Sequence, residues 1–177
     1  MKGFRHILQS EADRASMLRP SFKRGIGMLA AHGYTFDILI FPDQLGYTRE
    51  FVGAFPHQPF VIDHIAKPHI KDRFITEEWK VAIRAVAAHD NVWCKISGLV
   101  TEADWAHWKP EHFRVYLDTV VEAFGTGRIL FGSDWPVCLV AATYSQVIQI
   151  VADYFSAFSK EEQAAFFGGN AIKFYQL

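Results

Sequence analysis

Five short apolar runs punctuate the chain, at residues 4–8, 35–41, 60–63, 92–96 and 129–131, and between them apolar positions recur at helical spacing. Most of the runs are near-continuous rather than alternating, the pattern of strands covered on both faces, as in parallel sheets. The intervening stretches 20–32, 45–55, 76–89, 110–124 and 144–158 predict helices. Thr76 followed by Glu78 and Trp79 reads as a helix start, and Gly125 after Phe124 as a stop. A final short helix begins at Ser159, where Ser159-Lys160-Glu161-Glu162 offers an N-cap and an acidic first turn. It is expected to end at Gly168-Gly169, leaving 170–177 as a tail.

Five strand–helix units in succession predict one α/β domain over residues 1–177. Such units build either an open doubly wound sheet or a closed (β/α)8 barrel. A complete barrel takes about 250 residues, so five units are too few to close one. No glycine-rich nucleotide fingerprint follows any strand, which weakens a dinucleotide-binding reading.

Composition narrows the classes. Half the residues are hydrophobic and 16 are Phe, ample for one core, while 18 basic and 19 acidic residues leave a formal charge of −1. That balance, without long blocks of either sign, lacks the basic footprint of a nucleic-acid binder. No stretch approaches the roughly 18 consecutive apolar residues of a membrane span. The start, MKGFRHILQSEADR, has no apolar core of the secretory kind. Cys94 and Cys138 match no zinc or redox spacing and read as free thiols. A cytoplasmic protein is the expectation.

In parallel strand–helix units the C-terminal strand ends share one side, where α/β enzymes place their chemistry. Read in order, those ends carry His6 and Gln9; Asp43 and Gln44; Asp63, His64 and Lys67; Lys95 and Ser97; Ser133 and Asp134. Each has a structural alternative that stays open on position alone. Asp134 suits a turn or cap, His64 a satisfied strand end, His6 a structural role, and Lys95, inside an apolar run, a buried ion pair. His32, His57, His69, His89, His107 and His112 read as surface residues. Trp105 and Trp108, in the loop TEADWAHWKP, either cover a ligand or pack on a helix.

Taken together, GFRHILQ (3–9), FDILIFPDQL (36–45), FVIDHIAKP (60–68), NVWCKISGLVTEADW (91–105), ILFGSDWPVC (129–138) and FGGNAIKFYQL (167–177) resemble the amidohydrolase-2 branch of the amidohydrolase superfamily. Within it they resemble the sugar lactonases acting on L-fucono- and L-rhamnono-lactones, relatives of the pyrone-dicarboxylate lactonases. The resemblance runs over essentially the whole chain, in order. It implies a TIM-barrel-like (β/α)8 amidohydrolase fold of which these five strands are the fourth to eighth, and a role in carbohydrate catabolism.

The resemblance also implies site residues. Asp134, after the eighth strand, would be the general base that takes a proton from the attacking water. His64, after the sixth, would polarise the scissile carbonyl or hold the water. His6, Gln9, Lys67, Lys95 and Trp135 would orient the lactone and its hydroxyls. Relatives hold zinc or a similar ion with histidines on strands one, five and six plus the last-strand Asp. Here His64 and Asp134 supply two such ligands, the first-strand His-x-His pair is absent, and the fifth-strand segment has no histidine. A catalytic zinc usually has three protein ligands, so no tight metal site is expected in this chain alone; a divalent ion would belong to the complete barrel. The expected partner is a small sugar lactone, with no nucleic acid and no membrane. Two open sheet edges also predict self-association or pairing with an N-terminal segment. Two alternatives stand beside the lactonase: an inactive fragment or subunit needing a partner, and a metal-dependent decarboxylase of the same branch, which the poor ligand set disfavours.

Overall fold

The structure, a computed structural model, describes residues 1–177 throughout. Its strands are β1 (Gly3–His6), β2 (Thr35–Ile38), β3 (Phe60–Ile62), β4 (Val92–Ile96) and β5 (Ile129–Phe131). The helices are α1 (Pro20–Ala31), α2 (Leu45–Gly53), α3 (Glu77–Ala87), α4 (Glu111–Phe124), α5 (Tyr144–Phe155), α6 (Lys160–Ala164) and α7 (Asn170–Tyr175). All strands are parallel and lie in the order β1-β2-β3-β4-β5. Strand crossovers are right-handed almost without exception. Five strands stepping in one direction therefore place every crossover helix on the same face, which is the arrangement of a barrel wall; a doubly wound sheet reverses its order midway.

The two faces differ accordingly. Phe36, Ile38, Phe60, Ile62, Val92, Cys94, Ile96 and Ile129 point into the helix layer and belong to a core of 37 buried residues. On the opposite, concave face Val61, Trp93 and Leu130 form a separate cluster with Phe174. Strand alternation thus delivers two unlike environments from the same five segments.

The predicted helix starts have the expected chemistry. Thr76 accepts from the Trp79 amide at 3.3 Å, and Ser159 and Glu162 form a reciprocal capping box at the start of α6. The tail departs from expectation: the chain does not stop at Gly168-Gly169 but runs through a π-helical turn, Ala165–Gly169, into α7. Distant contacts override the two glycines. The buried Asn170 amide donates to the Thr126 and Ile129 carbonyls at 2.8 and 2.7 Å, and the Phe174 ring packs 5.5 Å from Trp93. Strands β4 and β5 end where their apolar runs end, whereas β1 stops at His6, β3 at Ile62, and β2 at Ile38, ahead of a short 3-10 turn at Pro42–Gln44. No helix is long and apolar enough to cross a membrane.

Candidate active site

The sheet's C-terminal edge gains its distinctive geometry where β3 ends. Asp63 is only 1% exposed, and after it His64, Ile65, Ala66 and Lys67 all adopt left-handed backbone angles, with φ between 47° and 58°. Each such residue costs roughly 1–2 kcal/mol for an L-amino acid, and Ile65 is β-branched, so the surroundings must impose the turn. Several contacts do so. Ile65 and Ala66 are buried in the main core. The Trp79 indole of α3 donates to the Ile65 carbonyl at 3.2 Å, and the Lys67 amide donates back to the His64 carbonyl at 2.8 Å. At the far end the Lys67 ammonium meets Glu102 at 3.1 Å. Across from this turn Gly98 has φ +67°, and a Cβ there would stand 3.0 Å from both Cβ and Nδ1 of His64.

The turn carries His64 to groups from the two neighbouring strands. Its Nδ1 lies 2.8 Å from Ser97 Oγ, just beyond β4. Its Nε2 lies 3.7 Å from Asp134 Oδ1, beyond β5, and the two side chains are 13% and 12% exposed. The Thr101 hydroxyl donates to the other Asp134 oxygen at 2.9 Å. Gly132 permits the close approach: a Cβ there would be 2.9 Å from that of Ser97. Burial lowers the His64 pKa, and Lys67 and Lys95 add to this, against the opposing pull of Asp134 and Asp63. The ring is therefore neutral at pH 7, with one N–H and one lone pair. The carboxylate facing Nε2 favours the proton there, and Ser97 then donates its hydroxyl to Nδ1. At 3.7 Å the His64 and Asp134 atoms are beyond direct hydrogen bonding. A carboxylate acceptor and an imidazole donor thus face one small space.

A second polar group lies on the concave face. Lys95 Nζ is 2.6 Å from Asp37 and 2.8 Å from Asp63, the latter an ion pair without hydrogen-bond alignment. Arg5 reaches the other Asp63 oxygen at 3.3 Å. The Tyr175 hydroxyl of α7 donates to both Asp37 oxygens, at 3.0 and 2.9 Å. Burial opposes the Lys95 ammonium, but the charges of Asp63 and Asp37 outweigh it and raise its pKa. Burial also raises the Asp37 carboxyl against the lowering effect of Lys95.

Of the residues singled out from the sequence, the structure brings His64, Ser97 and Asp134 together and places Lys67 on the same left-handed turn. Trp135 follows Asp134 and is 62% exposed. Lys95 is engaged by two carboxylates. His6 pairs with Glu11 at 2.8 Å and lies against the Phe22 ring, on the helix side of β1. Gln9 keeps a buried amide oxygen with no partner. Asp43 makes a two-pronged pair with Arg14, 2.7 Å at each oxygen, and Gln44 is spent on the Leu8 and Arg14 carbonyls. Trp108 packs on Phe113 and donates to the Ala141 carbonyl. Sequence reasoning missed Thr101, Asp37, Arg5 and Tyr175. Asp37 had a readable signal, an acid inside the apolar run FDILIF at the same strand parity as Lys95 on β4.

Two donors, His64 and Asp134, converge closely enough to reach one ion, but no group of three or more His, Cys, Asp or Glu side chains is arranged to hold a metal. Their remaining heteroatoms are already engaged by Ser97 and Thr101. A catalytic zinc usually takes three protein ligands, so the donor set of these 177 residues does not by itself fit one.

Comparison with known proteins adds to this geometry. The amidohydrolase family model matches residues 1–177. The chain is 41% identical to an L-fucono-1,5-lactonase of Burkholderia multivorans over all of its own length and 63% of that protein's. It is 38% identical to an L-fucono-1,5-lactonase of Burkholderia ambifaria over 99% of its own length and 61% of that protein's. A crystal structure of an amidohydrolase from Burkholderia multivorans with bound zinc superposes with a TM-score of 0.96 at 41% identity, covering 100% of this chain and 65% of the other. The chain therefore spans somewhat under two thirds of the length of these relatives.

Proposed function

The chain belongs to the amidohydrolase family, and from that premise we propose that it hydrolyses a small sugar lactone of the L-fucono- or L-rhamnono-lactone kind. The observation that carries this reading is the pairing of Asp134, held by Thr101, with a neutral His64, held by Ser97, across 3.7 Å. The likeness to two L-fucono-1,5-lactonases supports the substrate class. A water molecule beside Asp134 gives up a proton to the carboxylate as its oxygen attacks the lactone carbonyl. The carbonyl oxygen becomes an oxyanion and accepts a hydrogen bond from His64 Nε2–H, which keeps its proton. Collapse of the tetrahedral intermediate breaks the ring C–O bond, and the departing alkoxide takes the proton from Asp134, leaving a hydroxy acid. Lys67, on the turn that carries His64, and Trp135 beside Asp134 orient the substrate, whereas the Gln9 amide oxygen is buried away from solvent. Lys95 and His6 support the structure through the ion pairs they already make.

Every step uses side chains of this chain. Replacing Asp134 by Asn keeps an acceptor for Thr101 but removes the base, and is expected to lower kcat on L-sugar lactones by about 10²- to 10⁴-fold with an unchanged circular dichroism spectrum. Full turnover by that variant would show that Asp134 is not the base.

A second reading is favoured by the two unpaired edges of the sheet, at β1 and β5. In it the working unit is an assembly, in which a second copy or another chain pairs with an edge. Sedimentation of the active species distinguishes the two: turnover that tracks a monomer excludes the assembly.

A further inference from the structure

We infer that the cavity between the loops following β3 and β4 is the subsite for the hydroxylated ring of a neutral lactone; this rests on the lactonase reading and specifies where that substrate lies. The cavity has a volume of about 480 Å³, and its walls include His69, Lys71, Asp72, Thr101, Glu102 and Trp105. That size suits a small organic ligand, since such sites run from about 300 to 1,000 Å³.

Two wall residues join the cavity to the proposed chemistry. Thr101 lines it and also donates its hydroxyl to Asp134. Glu102 lines it and also holds Lys67, on the turn that presents His64. A ligand with its carbonyl between His64 and Asp134 thus has its remaining ring atoms beside this wall. The two loops are tied together by the Lys71 amide, which donates to the Glu102 carbonyl at 2.9 Å, so the wall is preformed.

Its chemistry matches a sugar ring. Trp105 is 57% exposed, and its indole N–H is already satisfied by the Thr101 carbonyl at 2.9 Å. The ring is fixed in orientation with a bare face, the surface on which the C–H face of a sugar packs. Around it stand Asp72, Glu102 and Asp104 with Lys71 and His69, and Glu102 is paired with Lys67 and Asp104 with Arg73. The carboxylates accept hydrogen bonds from ring hydroxyls and the Lys71 ammonium donates to them.

The test uses two stable probes: a polyhydroxylated six-membered lactam with the configuration of the sugar lactone, and the unsubstituted lactam. Each is titrated by calorimetry into the 177-residue protein, Trp105→Ala and Asp72→Asn. The wild type should bind the hydroxylated lactam more tightly than the unsubstituted one. Trp105→Ala should weaken binding of the hydroxylated lactam about tenfold, and Asp72→Asn should weaken it about threefold while leaving the unsubstituted lactam unchanged. No binding of the hydroxylated lactam by the wild type, or equal binding by all three proteins, overturns the subsite. The outcome is separable from the lactonase reading: if Asp134→Asn keeps full turnover while Trp105→Ala loses the hydroxylated lactam, the base is wrong and the subsite stands.

Discussion

The five strands carry two polar groups that share a neighbourhood and differ in completeness. On the concave face Lys95 has a carboxylate on either side, Asp63 is shared with Arg5, and Asp37 accepts twice from Tyr175. At the strand ends His64 and Asp134 each have one firm partner, Ser97 and Thr101, and face one another across a gap too long for a hydrogen bond. Buried charge is tolerated where it is paired. A group left partly unpaired, on a turn built from four left-handed residues, is retained at a cost in stability, which points to use rather than support. Asp63 and His64 are adjacent in sequence, yet the first belongs to the closed network and the second to the open one.

The sharpest way to break this contrast is Lys95→Met. It strips the shared cation from Asp37 and Asp63 and leaves a nearly inaccessible carboxylate with only the half-exposed Arg5. Removing one partner of a buried ion pair costs roughly 3–5 kcal/mol, so the urea midpoint should fall steeply. Ser97→Ala, which deletes a partner in the open group, should cost about 1 kcal/mol. Equal losses would erase the distinction between a supporting network and a poised one.

Gly98→Ala sharpens the comparison from the other side. The new methyl would be forced into a left-handed residue and against His64 at 3.0 Å. A destabilisation of about 1–3 kcal/mol is expected, with loss of the His64–Ser97 contact visible as a shift in the ring resonances. The concave face, which Gly98 does not touch, should keep its protection from hydrogen exchange.

The strand–helix order and five strand positions were legible because they rest on local apolar runs and helical spacing. The strand ends that gather His64, Ser97 and Asp134 followed from the parallel topology. What could not be read was set by long-range contacts. Gly168-Gly169 looked like a stop, and only Asn170 bonding to Ile129, with Phe174 on Trp93, carries the helix onward. Thr101 sits in a loop whose path no periodicity reports. The left-handed turn at His64–Lys67 contains no glycine, so its conformation has no sequence signature and depends on Trp79 from another helix.

That dependence is testable. Trp79→Phe keeps the ring packed near Tyr116, 5.6 Å away in the native protein, but removes the donor to the Ile65 carbonyl. An unsatisfied buried acceptor costs about 1–3 kcal/mol. Amide exchange should accelerate across 64–67 first, ahead of β4 and β5. Uniform acceleration over the whole sheet would mean that Trp79 supports the core at large and not this turn.

The smallest effect is the one that separates the two groups by pH. His64 has its pKa pushed below the ordinary 6.5, chiefly by burial. Just below that value the unfolded chain takes up a proton on this side chain and the folded chain does not, so acid favours unfolding. The contribution of the neutral ring is complete above about pH 6.5, shrinks as pH falls through the window beneath it, and levels off once the folded protein also binds the proton. His64→Asn removes the titrating ring with a residue that tolerates left-handed angles. The stability of the variant, followed by urea titration, should therefore fall less steeply on acidification in that window. A slope identical to the wild type would place the proton uptake on another group and remove the neutral imidazole from the proposed site.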